Sequence, residues 1–352
     1  MPDPRPFDAL VVTSIASPNP VLRELAAGAL SRGVRFIVVG DSKSPADFEL
    51  DGCEFWSLAR QRELPFRLAA QIPERSYARK NLGYLLAIQG GATSMVETDD
   101  DNFPKASFWN VRSRAIRGRT LPIPGWINAY AWFADTFIYP RGFPLEAARA
   151  GGVPAGVEAP TSEAECPVQQ GLADENPDVD AVYRMLFPLP FSFRQGDAPL
   201  ILSAGQWCPF NSQNTTFFKE VFPLLYLPAH CSFRMTDIWR SFVAQRILWA
   251  NRLSVAFHAA TVRQERNVHD LRCDFEQEIP GYLHNTAMVR ALEAVEVPAG
   301  LDRVPEAMRR CYDRLIAGGW IGADETALLD AWLGDLEEIE GGRVVGQGFP
   351  TR

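Results

Sequence analysis

The sequence predicts an α/β fold built on a parallel sheet, and three observations carry that expectation. ALVVTSI at 9–15 and VRFIVVGD at 34–41 are short, β-branched apolar runs of the kind buried strands show. LRELAAGALSRG between them places apolar residues at 22, 25, 26, 29 and 30 and stops at Gly33, an amphipathic helix with a glycine end. Strand, helix and strand within about forty residues is a βαβ unit, and such units gather ligands at the carboxyl ends of their strands. Asp41 stands at one such end. SPNP at 17–20 supplies the turn after the first strand.

A longer helix is expected to open at Pro73 and Glu74 and run through RSYARKNLGYLLAIQ to Gly90-Gly91. TSMVE then reads as a third strand that leads into Asp99, Asp100 and Asp101. From about 150 to 200 the composition turns to Pro, Gly and Glu, as in GGVPAGVEAPTSEAECP, and predicts a surface excursion. A second half resumes near 200. TDIWRSFVAQRILWANRLSVAF at 236–257 reads as a helix followed by a strand, and two more helical patterns occupy 304–317 and 323–338.

The chain has 352 residues, 47% hydrophobic and 22% charged, which excludes disorder as its main theme. Its formal charge of −8 has the wrong sign for a phosphate-backbone binder, so no nucleic-acid partner is expected. Apolar runs such as VFPLLYLP at 221–228 fall short of the roughly 20 residues a membrane span needs, although peripheral contact through the C-terminal helices stays open. MPDPRPFDAL lacks the basic start and apolar stretch of a secretory signal, and a cytoplasmic location is expected. Cysteines 53, 166, 208, 231, 273 and 311 form no C-x-x-C pair and read as scattered thiols.

Three adjacent carboxylates repel one another by about 1 kcal/mol per pair even in water, and a hard divalent cation relieves that. Mg²⁺ or Mn²⁺ takes one or two carboxylates plus phosphate oxygens, and alternate residues Asp99 and Asp101 can turn toward one site while Asp100 points away. A solvated acidic turn is the plain alternative. Arg75, Arg79 and Gly83 recur at intervals of four, so they are expected on one helical face with Lys80 and Asn81 beside it. Such a cationic stripe suits a diphosphate, the alternative being an ordinary basic surface.

YARKNLGYLLAIQGGATSMVETDDDNFP, with VVTSI near the start and VVGDSKSP at 38–45, resembles the STELLO-type glycosyltransferases over about residues 8–285. It is similar, more distantly, to the reversibly glycosylated polypeptides that act as UDP-arabinopyranose mutases. The resemblance implies a GT-A-like, Rossmann-like nucleotide-diphospho-sugar transferase fold with a mixed central sheet. It divides the chain into a GT-A-like domain at 1–285 and a helical C-terminal extension at 286–352. Within the domain, about 1–110 would bind the nucleotide-sugar, and about 111–285, including the excursion at 150–200, would form the acceptor half.

Carried over by position, the resemblance implies that Thr13, Ser14, Ile15 and Asp41 face the nucleoside. Arg75, Arg79 and Lys80 would approach the donor diphosphate, and Asp100 counts among the residues that bind the nucleotide-sugar. Asp99 and Asp101 would hold Mn²⁺ or Mg²⁺. His269, in the polar stretch VRQERNVHDL with Arg263 and Arg266, is the expected third metal ligand, whereas His258 in SVAFHAA reads as core. The donor would be a UDP- or GDP-sugar, and the acceptor a glycan, lipid-linked or small hydroxyl compound.

INAYAWFADTFIYPRGFPLE at 127–146 and QGLADENPDVDAVYRM, ending at Met185, mix aromatics with Arg141, Asp174, Asp178 and Asp180. Arg141 and Asp180 are candidate sugar or acceptor contacts, against the alternative of an aromatic core and an Asp-rich loop. Thr236 is a candidate N-cap that places Asp237 in a first helical turn beside Trp239, a candidate sugar platform. Asp237 is the candidate general base, which would imply inversion; its alternative role is to stabilise its own helix. The expected activity is metal-dependent sugar transfer to a hydroxyl. A nucleotide-sugar mutase and a catalytically silent binding scaffold are the rival readings.

Overall fold

The computed structural model describes residues 5–151, 158–266 and 270–342. Its strands are β1 (Ala9–Thr13), β2 (Arg35–Val39), β3 (Glu54–Trp56), β4 (Ser94–Thr98), β5 (Asn102–Pro104), β6 (Ala115–Thr120) and β7 (Gly125–Trp126). They continue with β8 (Thr161–Glu165), β9 (Val168–Asp174), β10 (Leu200–Leu202), β11 (Gln206–Trp207), β12 (Asn214–Phe218) and β13 (Val255–Gln264). Eleven form one mixed sheet in the order β3-β2-β1-β4-β12-β9-β13-β10-β6-β8, with β5 on β13, while β7 and β11 pair separately.

The first βαβ unit is present as expected. β1 and β2 pair in parallel from Ala9 opposite Arg35 to Thr13 opposite Val39. The helix Pro20–Arg32 between them is set by local chemistry at both ends. Asn19 accepts the Leu22 N–H at 2.8 Å, Pro20 occupies the first turn, and Gly33 ends the helix in the left-handed region at φ 65. β3-β2-β1-β4 is the parallel half, and the antiparallel β12 joins it to the rest. The α/β class with a mixed central sheet is therefore observed.

Three expectations change in detail. The helix before the acidic cluster does not start at Pro73: a 3-10 turn covers Tyr77–Arg79 and the α-helix covers Lys80–Gln89. Arg75 lies outside it in left-handed backbone at φ 55, so Arg75, Arg79 and Gly83 share no helical face. Gly83 serves the packing of that helix on the sheet, because a Cβ there would lie 2.6 Å from Val11 and 2.8 Å from Val39.

Residues 150–200 are also more than an excursion. β9 is buried along its whole length between β12 and β13, in the middle of the sheet. Its polar side chains are paired: the Gln169 and Gln170 amides are satisfied by backbone carbonyls or by Asn211 and Thr215. Finally, the helix Leu271–Glu293 runs straight through the expected boundary at 285. The helices Val304–Ala317 and Glu325–Glu340 match the two predicted patterns, but Tyr312 and Trp332 pack on Tyr226 within the main core.

The carboxyl ends of β1, β2 and β4 thus meet the amino end of the helix Thr236–Ala250. A fully buried pair fixes that meeting: Arg240 reaches Glu97 of β4 at 2.6 Å, and the Tyr84 hydroxyl donates to the same carboxylate. No helix among the described residues is long and apolar enough to cross a membrane.

Candidate active site

A cleft of about 460 Å³ opens at this junction. Thr13, Ser14, Ile15, Asp41, Arg75, Arg79, Asp99, Asp100, Asp101, Arg141 and Asp237 all line it, though they come from six separate stretches of sequence. Ser14 follows β1 and donates to Asp100, while its own carbonyl accepts Ser44 Oγ at 2.8 Å. Asp41 accepts the backbone N–H groups of Arg75 and Ser76, each at 3.0 Å. Those two bonds hold Arg75 in a backbone region unfavourable for a side chain of its size.

The three aspartates have different surroundings. Asp99 accepts Tyr77 Oη at 2.7 Å and Lys80 Nζ at 3.1 Å. Asp100 takes the Ser14 hydroxyl, and burial, ahead of that bond, raises its carboxyl above the usual range. Asp101 accepts Gln264 Nε2 at 3.0 Å through Oδ2, but its Oδ1 is buried with no hydrogen-bond partner among the described residues. Burial first, and the Asp99 charge second, push its carboxyl up to about 7. An orphaned carboxylate oxygen beside a second carboxylate fits a hard cation. Among the described residues no three His, Cys, Asp or Glu side chains converge as a finished cage.

The same pattern extends around the cleft. Thr13 Oγ1, Gln264 Oε1 and Arg266 Nε are also buried without partners among the described residues. Burial, then the neighbouring Arg234 and Arg184, lower the Arg266 guanidinium to about 10. Two exposed apolar side chains, Ile15 at 53% and Phe233 at 55%, give the cleft hydrophobic edges.

Three expectations about individual residues meet a different geometry, and a fourth cannot be placed. Lys80 is wholly buried and binds Tyr77 Oη, the Thr98 and Ser212 carbonyls and Asp99, so it orients the acidic cluster and does not reach the cleft. Asp180 caps the helix Ala181–Leu186 through the Tyr183 N–H at 2.7 Å, takes Tyr139 Oη at 3.1 Å, and lies outside the cleft lining. Trp239 is core, 1% exposed, with Nε1 donating to Asn285 at 2.9 Å. His269 and its neighbour Asn267 lie outside the described residues.

Asp237 does line the cleft, but its chemistry is that of a charge partner. Thr236 is the first helical residue and no side chain caps the helix. Arg141 clasps Asp237 with Nη1 at 3.1 Å and Nη2 at 3.0 Å, and clasps Asp178 with Nε and Nη2, both at 2.8 Å. Ser212 N and Oγ donate to Asp237 as well, at 3.1 and 3.2 Å. Burial alone would raise this carboxyl; Arg141 overrides it and brings it down to about 2. A carboxylate so well stabilised is a poor proton acceptor, and in this geometry it is not suited to act as general base.

The residues that sequence spacing did not single out are Tyr77, Ser212 and Gln264. Tyr77 Oη also meets Ser212 Oγ at 2.7 Å, which links the acidic cluster to Asp237 through two hydroxyls. Tyr77 falls within RSYARK, yet nothing local marks its hydroxyl as functional.

Residues 234–345 match the family model described as STELLO glycosyltransferases. Two Arabidopsis thaliana proteins, described as "Probable glycosyltransferase STELLO2" and "Probable glycosyltransferase STELLO1", are 31% identical over 254 residues and 30% over 239 residues. Those alignments cover 66% and 62% of this chain but 33% and 30% of the plant proteins, so the chain spans about a third of their length. A crystal structure of a mycobacterial protein aligns with TM-score 0.40 and 10% identity over 80% of this chain and 75% of that one, too loosely to bear on fold or function.

Proposed function

We propose, from the similarity of about two thirds of this chain to two probable STELLO glycosyltransferases, that its cleft binds a nucleotide-diphosphate sugar and transfers the sugar to a hydroxyl acceptor. One observation carries the reading. Buried polar atoms in a folded chain are almost always paired, yet Thr13 Oγ1, Asp101 Oδ1, Gln264 Oε1 and Arg266 Nε find no partner among the described residues around one cleft. Their mix of donors and acceptors calls for a ligand that is both hydroxyl-rich and anionic.

The ends of β1 and β2, with Thr13 to Ile15 and Asp41, would take the nucleoside, Ile15 offering an apolar edge to the base. Arg75, Arg79 and Arg266 would face the diphosphate. Asp99 and Asp101 would hold Mn²⁺ or Mg²⁺, which would supply charge neutralisation as the diphosphate departs. Tyr77 and Lys80 keep Asp99 in its place, and Ser14 fixes Asp100 away from it. On the acceptor side, Arg141, Asp178 and Asp237 form a wall in which one guanidinium clasps two carboxylates, leaving net negative charge whose outer oxygens can orient sugar hydroxyls.

Calorimetric titration of UDP, GDP and their sugars, with and without Mn²⁺, tests this on the wild type and Asp101→Asn. Metal-dependent binding at least tenfold weaker in the variant is expected. Absence of any nucleotide binding by the folded wild type with metal present would refute it. Donor isomerisation without acceptor would move the assignment to a mutase.

A further inference from the structure

Two wholly buried carboxylates of the C-terminal helix Glu325–Glu340 reach out of it toward opposite walls of the cleft. Asp335 accepts the Arg67 N–H at 2.8 Å and the Leu68 N–H at 2.9 Å, the otherwise free donors that open the short helix Arg67–Gln71. That helix runs directly into Ile72 and Pro73, whose carbonyls accept Arg79 Nη1 at 3.1 and 3.2 Å. Glu325 faces the other way. It accepts the Ala229 N–H at 3.0 Å and the His230 N–H at 2.7 Å, together with the Tyr226 hydroxyl, just before the chain enters Phe233 and Arg234.

We infer that Asp335 and Glu325 are positioning residues for the cleft, and that the C-terminal helix clamps the wall bearing Arg79 against the wall bearing Arg234. Apolar contacts alone could dock this helix at lower desolvation cost, since replacing buried charges by packed hydrophobes is often neutral or stabilising. What the carboxylates add is direction: each fixes two backbone N–H groups at a set place. A wall held through backbone donors moves when its acceptor is lost, and with it the guanidinium that the wall carries. The consequence for ligand binding rests on the nucleotide-sugar reading above; the clamp itself does not.

Hydrogen exchange on the full chain tests the clamp without any ligand. Asp335→Asn keeps one acceptor oxygen and Asp335→Ala keeps none, so exchange over 67–79 should accelerate about tenfold in the alanine variant and less in the asparagine variant. Exchange over 226–237 should stay unchanged, and Glu325→Gln should give the reverse pattern. Affinity for UDP or GDP with Mn²⁺, whichever the wild type binds, should fall in the same graded order. Acceleration spread evenly over the chain, or unchanged exchange at 67–79 in folded variants, overturns the inference. A wild type that binds neither nucleotide sinks the functional reading, while the exchange pattern still decides the clamp.

Discussion

Asp237→Asn separates a charge partner from a base more cleanly than any other single change. The carboxyl sits at about 2 against an ordinary 3.8, although burial pulls it the other way, so the folded state prefers the charged form by about 2 kcal/mol. Because the folded value is depressed, this stability is fully present above pH 3.8 and is lost as pH falls through 2. Asparagine keeps the shape and loses the charge. Arg141 would retain Asp178, held at 2.8 Å, so the loss at pH 7 should stay near 2 kcal/mol and below the 3–5 kcal/mol typical of a stranded buried ion. Urea unfolding of wild type and variant at pH 7 and at pH 2.5 gives the comparison. The gap between them should shrink by more than half at the lower pH. A gap that does not depend on pH, or none at pH 7, would refute the pairing argument and reopen Asp237 as a proton acceptor.

Other variants probe the surroundings. Lys80→Met should cost about 3 kcal/mol or more by thermal unfolding, because it strands Asp99 and the Thr98 and Ser212 carbonyls around an apolar chain. Trp239→Phe should cost about 1–2 kcal/mol through the lost bond to Asn285, while leaving nucleotide and acceptor affinities unchanged; a sugar platform would lose binding instead. His258, lowered to about 4 by burial and then by Arg112, should make the fold less stable as pH drops from 6.5 to 4, because the unfolded imidazole takes its proton first. Discounted for the half-buried position of the residue as a whole, the effect is about 2 kcal/mol, and His258→Gln should flatten that slope in pH-dependent denaturation.

Much of the parallel half was legible because its signals are local. A β-branched run, an Asn-Pro start and a glycine stop each act within a few residues, and together they define β1, the helix Pro20–Arg32 and β2. β9 was not, because its glutamines look like surface residues until Asn211, Thr215 and the neighbouring strands supply their partners. The same holds at Trp239, where a helix start beside an aromatic suggested a platform. Only the distant Asn285 shows that the indole is turned inward.

The acidic cluster shows where sequence reasoning stops for the site itself. Three identical residues in a row have one local signature, and alternation alone assigns Asp99 and Asp101 to one side and Asp100 to the other. Their protonation and reach are set from elsewhere: Asp99 by Tyr77 and Lys80 in the preceding helix, Asp100 by Ser14 more than eighty positions earlier, Asp101 by Gln264 far downstream. Of the three, Asp101 has the buried oxygen with no donor among the described residues. A cation would therefore gain most there, since the desolvation that raises this carboxyl to about 7 is a cost that metal binding removes. The distinction between the three follows from partners dispersed along the chain, which is why the D-D-D spelling could propose a metal site but could not rank its ligands.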